Sequence, residues 1–183
     1  STVIVRSTTV CGYSPRQRLD VVVNILVNHA VHRGMMTVWG GDQKRPNIPM
    51  GDIVDLYALL LELPTAKIAG NTYNVGAANH TVLELAEIVQ GIVGPHVAIE
   101  VKPVSDHRSY HVSSAKIARE LGFRPQRTIE DAARDLMEAF NNGLLPDSFR
   151  DTRYFNVEHM KTMQLPRLVA CSLPAQPAGR SDG

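Results

Sequence analysis

The apolar positions of this chain change period several times, and each change marks an element. Residues 2–6 form a β-branched run, closed by Gly12, Ser14 and Pro15, which predicts a buried strand and a turn. Over 18–33, Val21, Val22, Ile25, Leu26, Ala30 and Val31 recur at a helical period, and Gly34 ends it. Residues 36–39 predict a short strand that stops at Gly40-Gly41. Residues 41–50 read as a polar loop with two prolines. A helix over 52–62, capped by Asp52, would place Ile53, Leu56, Tyr57 and Leu60 on one face. Residues 72–75 predict a strand.

Thr81 and Glu84 have capping-box spacing. The helix they open carries Leu85, Ile88, Val89 and Ile92 and stops at Gly94-Pro95. Residues 97–101 alternate like a strand, and helices follow from Ser113 to Gly122 and from Thr128 to Gly143. Short strands alternating with helices predict an α/β domain with parallel pairing over 1–165. Residues 166–183 change composition to Pro, Ala, Gly and Ser, and a disordered tail is expected there.

Composition excludes more than it assigns. With 183 residues, 44% hydrophobic and 20% charged, the chain can bury a sizeable core. Its formal net charge of +1 gives no electrostatic case for nucleic acid or an anionic membrane. No apolar run approaches the length of a membrane span. Cys11 and Cys171 lie far apart and read as two free thiols of a cytoplasmic protein.

Chemistry-bearing patterns are sparse. There is no G-x-G-x-x-G turn, no P-loop and no G-x-S-x-G nucleophile setting. His29 and His32 share a helix face, but two ligands are too few for a metal, and no metal site is expected. What remains is a set of loop cations. Arg45 and Arg108 each lie between a strand and a helix, and Arg16, Lys44 and Lys102 are placed comparably. In an open α/β sheet such connections line the ligand crevice, and an arginine fork suits a phosphate.

Four segments, in order, carry a family resemblance: Arg6 to Gly12; Val38-Trp39-Gly40 with the run to Asp52; Tyr73-Asn74-Val75-Gly76 followed by Thr81 to Ala86; and Asp106 to Tyr110 followed by Ser114 to Phe123 and Pro125. Together, over roughly 155 residues, they resemble the C-terminal half of the extended short-chain dehydrogenase/reductases, the NAD-dependent epimerase/dehydratase family. Cys11 stands where that family commonly has Tyr, and Pro46 where it has Asp.

The resemblance implies a Rossmann-type fold and a nucleotide-diphosphate sugar as substrate. It also implies NAD as the cofactor of the complete enzyme, with NAD not expected to bind this chain alone. The family's Gly-rich NAD turn and catalytic Tyr-x-x-x-Lys are in neither these residues nor their order, so no catalytic residue is assigned. The N-terminal cofactor-binding half is expected to be missing. That half, or a homo-oligomer, would cover the exposed edge of the first strand. By position in the resemblance, Arg45 and Arg108 would bind the diphosphate, Asp20 or Asn24 would lie near it, and Val10 would lie near the nicotinamide. The resulting expectation is the substrate-binding portion of a nucleotide-sugar epimerase or dehydratase, inactive alone. A non-catalytic binding or assembly module that keeps the fold is the alternative.

Overall fold

A computed structural model describes residues 2–104 and 108–163. In chain order the elements are β1 (Ile4–Ser7), β2 (Thr9–Cys11), α1 (Val22–Arg33), β3 (Met35–Trp39), β4 (Lys44–Pro49), α2 (Met50–Glu62), α3 (Thr65–Ile68) and β5 (Thr72–Val75). They continue with β6 (Ala78–Thr81), α4 (Val82–Val93), β7 (Ala98–Lys102), α5 (Ala115–Leu121), α6 (Ile129–Asn141), a 3-10 turn (Thr152–Tyr154) and α7 (Asn156–Thr162). The expected α/β alternation with parallel pairing is present. The expected tail over 166–183 and Cys171 lie outside the described residues.

Three small sheets result. β1 pairs with β5 in parallel, with Ile4 opposite Thr72. β3 pairs with β7 in parallel. β4 is the middle of the third sheet, parallel to β2 and antiparallel to β6. The prolines that made 41–50 read as a loop are tolerated because pairing is staggered. β6 pairs over Lys44–Asn47 and β2 over Asn47–Pro49. Pro46 and Pro49 therefore each meet a strand on one side only, where a missing N–H costs no ladder bond. β6 itself (Ala-Asn-His-Thr) has no apolar alternation to announce it.

Two apolar clusters hold these parts. The larger gathers Val23, Leu26 and Val27 of α1, Leu85 and Val89 of α4, and Ala133 and Leu136 of α6, over Met36 and Val38 of β3. The helical period over 18–33 placed Leu26 and Ala30 in this core, but Val23 and Val27, outside the expected stripe, are its fully buried α1 positions, and the helix starts only at Val22. The smaller packs Ile53, Leu56 and Leu60 of α2 against Tyr73 and Val75 of β5, with Ile117, Leu121 and Phe123. The expected capping box of Thr81 with Glu84 opens α4, and a second, of Thr128 with Asp131, opens α6.

Asp52 is not the cap of α2, which begins at Met50. The side chain is buried and accepts hydrogen bonds from the N–H groups of Gln126 (3.0 Å) and Arg127 (3.2 Å). The Arg127 guanidinium adds a third donor at 3.2 Å. Gly51 makes room for this staple, since a Cβ there would lie 2.4 Å from Arg127 Nε. A carboxylate two residues inside a helix is thus spent on joining α2 to the segment before α6.

Candidate functional site

The turn between β2 and α1 is built on buried amides. Gly12 adopts φ +100°, a conformation that side chains resist, and its N–H donates to Asn24 Oδ1 at 3.1 Å. The Asn24 amide donates in turn to the Arg18 carbonyl at 2.7 Å. Gln17, 3% exposed, accepts from the Ser14 N–H at 2.9 Å and donates to the carbonyls of Gly12 and Arg18. Residues 12–18 are therefore a fixed wall rather than a loose loop. Both ends of the Asn24 amide are committed to that wall.

Behind the wall lies a cavity of about 490 Å³, lined by Val10, Gly12, Arg16, Arg18, Asn24 and Met50, among others. Two arginines and no carboxylate line it. Arg16 is turned away: its guanidinium donates to the carbonyls of Gln17 and Arg153 and to Asn156 Oδ1. Arg18 reaches Asp20 Oδ1 with Nε at 2.8 Å. Among the described residues its two terminal nitrogens carry no hydrogen bond. The first turn of α1 holds no acidic residue and its N-cap, Val21, supplies no side-chain bond. The first turns of α2, α4 and α6 hold Asp52, Glu84, and Glu130 with Asp131. The positive end of the α1 dipole is left open on the cavity side.

Asp20 sits beside this cavity with its carboxylate already engaged. One oxygen takes Arg18 and the other accepts the Asn156 N–H at 3.0 Å. Burial works against its charge, but the bonds from Arg18 and Asn156 outweigh that and hold the carboxyl below its ordinary value. Its ionised oxygens face α7 and Arg18, so it acts here as an anchor for the C-terminal turn.

Arg45 lies at the head of β4, three residues before Ile48, which pairs with Val10. The two places are roughly 10 Å apart along the strand. The Arg45 guanidinium donates to the Arg108 carbonyl, bridging 63 positions of sequence, and stands 6.0 Å from the Tyr110 ring. The segment carrying Arg108 is strapped down on the same side. The Lys44 N–H donates to Ser109 Oγ at 3.0 Å, and Asn79 of β6 exchanges two hydrogen bonds with the backbone of Val112 (2.9 and 3.1 Å). Ser114 does the same with Gly76 (2.7 and 2.8 Å).

Of the five residues singled out in sequence, Val10 and Asn24 share the cavity, and Arg45 meets the Arg108 backbone at the far end of β4. Asp20 is a structural anchor. Sequence reasoning passed over Gln17 and Arg18. The run Arg16-Gln17-Arg18 just before a helix was the available signal, because a buried amide between two arginines fixes where both point. His29 and His32 pack instead on Phe149 (ring centroids 5.3 and 6.0 Å), and burial lowers both imidazoles. Among the described residues no three His, Cys, Asp or Glu side chains group as metal ligands, and no helix is long and apolar enough to cross a membrane.

In open α/β domains of Rossmann type, ligands sit in the crevice beside the ends of the parallel strands, where this cavity lies. Residues 1–76 match the family described as the NAD dependent epimerase/dehydratase family. The chain is 29% identical over 139 residues to UDP-glucuronic acid decarboxylase 1 of Arabidopsis thaliana, covering 73% of this chain and 31% of that protein. It is 28% identical to dTDP-glucose 4,6-dehydratase of Shigella flexneri, covering 69% and 38%. Among solved structures it resembles UDP-glucose 4-epimerase of Thermotoga maritima with TM-score 0.64 and 25% identity, over 76% of this chain and 46% of that one. Residues 1–76 are thus similar to the NAD-dependent epimerase/dehydratase family, and more of the chain resembles its curated relatives. The chain spans about a third of the length of the curated relatives it matches.

Proposed function

We propose that this chain is the substrate-binding, C-terminal portion of an NAD-dependent nucleotide-sugar epimerase or dehydratase of the cytoplasm. The observation that carries the reading is the meeting of Arg45 with the Arg108 backbone at one end of β4, while the other end reaches the cavity beside Val10. Arg45 and Arg108 hold the diphosphate, and the sugar enters the cavity toward Val10, under the open end of α1. Asn24 and Gln17 do not contact the ligand; they hold the turn that shapes its pocket.

The described residues do not fit NAD. The helix starts of α4 and α6 are filled by Glu84 and Asp131, and the turn before α1 is closed by Gln17 and Asn24. The 183 residues also contain no G-x-x-G-x-x-G turn and no Tyr followed four residues on by Lys. A cofactor-binding half supplies both, as well as NAD, and pairs with the open edge of β1; without it the chain is inactive.

Calorimetric titration of the chain with UDP and UDP-glucose tests this reading. A charge-assisted bond to phosphate contributes roughly 1.5–3 kcal/mol, so Arg45→Ala or Arg108→Ala is expected to weaken binding by about one to two decades. Binding that neither variant changes overturns the diphosphate placement.

A further inference from the structure

We propose that the open edge of β7 is a contact surface for a second copy of this chain, which pairs with it antiparallel about a two-fold axis at Val101. Among the described residues, the sheet of β3 and β7 has two strands only. The Ala98 N–H donates to the Gly34 carbonyl, and the Gly40 N–H donates to the Lys102 carbonyl. Bonding residues alternate along a ladder, so Ala98, Glu100 and Lys102 turn their backbone groups toward β3. The N–H and C=O groups of Ile99 and Val101 point the other way, to an edge where no strand of the described residues lies.

The side chains alternate between the two faces. Val101 stands beside Val38 in register and shares its face, the one packed into the larger apolar cluster. Val38 has no exposed surface, whereas Val101 is 53% exposed, so the helices that cover Val38 stop short of this edge. Glu100 and Lys102 occupy the opposite face. Lys102 Nζ lies 3.0 Å from the Glu100 carboxylate and 5.8 Å from the centre of the Trp39 ring.

That order of charges selects the partner and the register. In an antiparallel pair centred on Val101, Glu100 of each copy faces Lys102 of the other. The two Val101 side chains then cover one another. Their backbones exchange hydrogen bonds, and each Ile99 N–H meets the Pro103 carbonyl of the other copy. Pro103, which has no N–H, ends the ladder. Centring the pair on Glu100 or on Lys102 sets like charges opposite one another, and so does parallel pairing in register. The contact uses the same patch on both copies and closes at two. It lies on a different sheet from β1, whose edge it leaves open.

The test is sedimentation of the 183-residue chain over a concentration series, with charge reversals at these two half-exposed side chains. The unmodified chain is expected to pass from 20.1 kDa toward twice that mass as concentration rises. Glu100→Lys or Lys102→Glu alone turns both facing pairs into like charges and is expected to weaken the dimer about tenfold or more. An equimolar mixture of the two variants is expected to restore it, because every facing pair is again opposite. The chain carrying both reversals is expected to restore it with itself. An unmodified chain that stays at 20.1 kDa up to roughly 1 mM overturns the proposal. A dimer that either single reversal leaves intact overturns it as well, and so does a mixture that associates no better than its components.

Discussion

The two apolar clusters are built by the same rules and finished differently. In the larger, α1, α4 and α6 close on one another, and Val23, Val27, Leu85, Val89 and Leu136 are entirely withdrawn from solvent. In the smaller, α2 and α5 cover β5, yet the outer face of α2 displays Val54, Tyr57 and Leu61, the last 88% exposed, and Ile4 of β1 is 50% exposed. Parallel strands are ordinarily covered on both faces. The comparison teaches that an amphipathic pattern fixes which face of an element is buried only when something covers it. The apolar positions of α2 extend right around the helix, and the described residues use one side.

Substitutions in the two regions should separate sharply. Leu136→Ala removes a side chain with no exposed surface and is expected to lower unfolding free energy by about 2–5 kcal/mol. Leu61→Ala, on the outer face of α2, is expected to change it by less than about 0.5 kcal/mol. Urea denaturation of the two variants measures both. A large loss at Leu61 would mean that the outer face of α2 is covered in solution, and would break the contrast.

The smaller cluster leans instead on a polar staple. Asp52→Ala strips three donors of their acceptor. With Arg127 41% exposed, its share is reduced by solvent, and the loss is expected at about 1–3 kcal/mol. Arg127→Ala should cost less than Asp52→Ala, because the two backbone N–H bonds survive. The reverse order in a thermal denaturation series would show the ion pair, not the backbone bonds, to be the main tie.

A pH-dependent effect lies at Cys11, in the larger cluster. Its thiol donates to the Ile48 carbonyl at 3.5 Å, and burial pushes it up to about 12 from 9.0. The folded chain therefore keeps a proton that the unfolded chain releases. The contribution of the neutral thiol is whole below pH 9 and fades between 9 and about 12. The stability difference between the native sequence and Cys11→Ala is expected to shrink above pH 9. In a Cys171→Ser background, Cys11 should resist iodoacetamide at pH 8, and mass spectrometry reads the adduct. Rapid alkylation of the folded chain would show the cluster to be open at Cys11.

What was legible in the sequence follows from how local each device is. The capping box at Thr81 and the glycine stops are written within one or two turns, and they stand in the structure as read; the α1 stripe was legible only in part, since Val23 and Val27 are buried as well. β4 was not legible because Pro46 and Pro49 argue against a strand unless the staggered partners are known. β6 was not legible because its register comes from β4 alone. Asp52 has the composition of a cap, and only the approach of Arg127, 75 positions on, turns it into a staple. The site divides in the same way. Arg45 and Arg108 stood out as loop cations between a strand and a helix. Arg18 did not, because its availability depends on where Asp20 and Asn24 spend their own bonds.

One consequence follows from the acids at the helix starts. Among the described residues, four helices have twelve residues or more; three carry an acid in the first turn, and α1 carries none. A multiply charged anion drifting over this surface is repelled at the starts of α4 and α6 and drawn to that of α1. The acids of α4 and α6 thereby do more than begin their helices. They orient an incoming dianion before any contact is made, and rising ionic strength, by blurring that relief, should slow capture more than it hastens release.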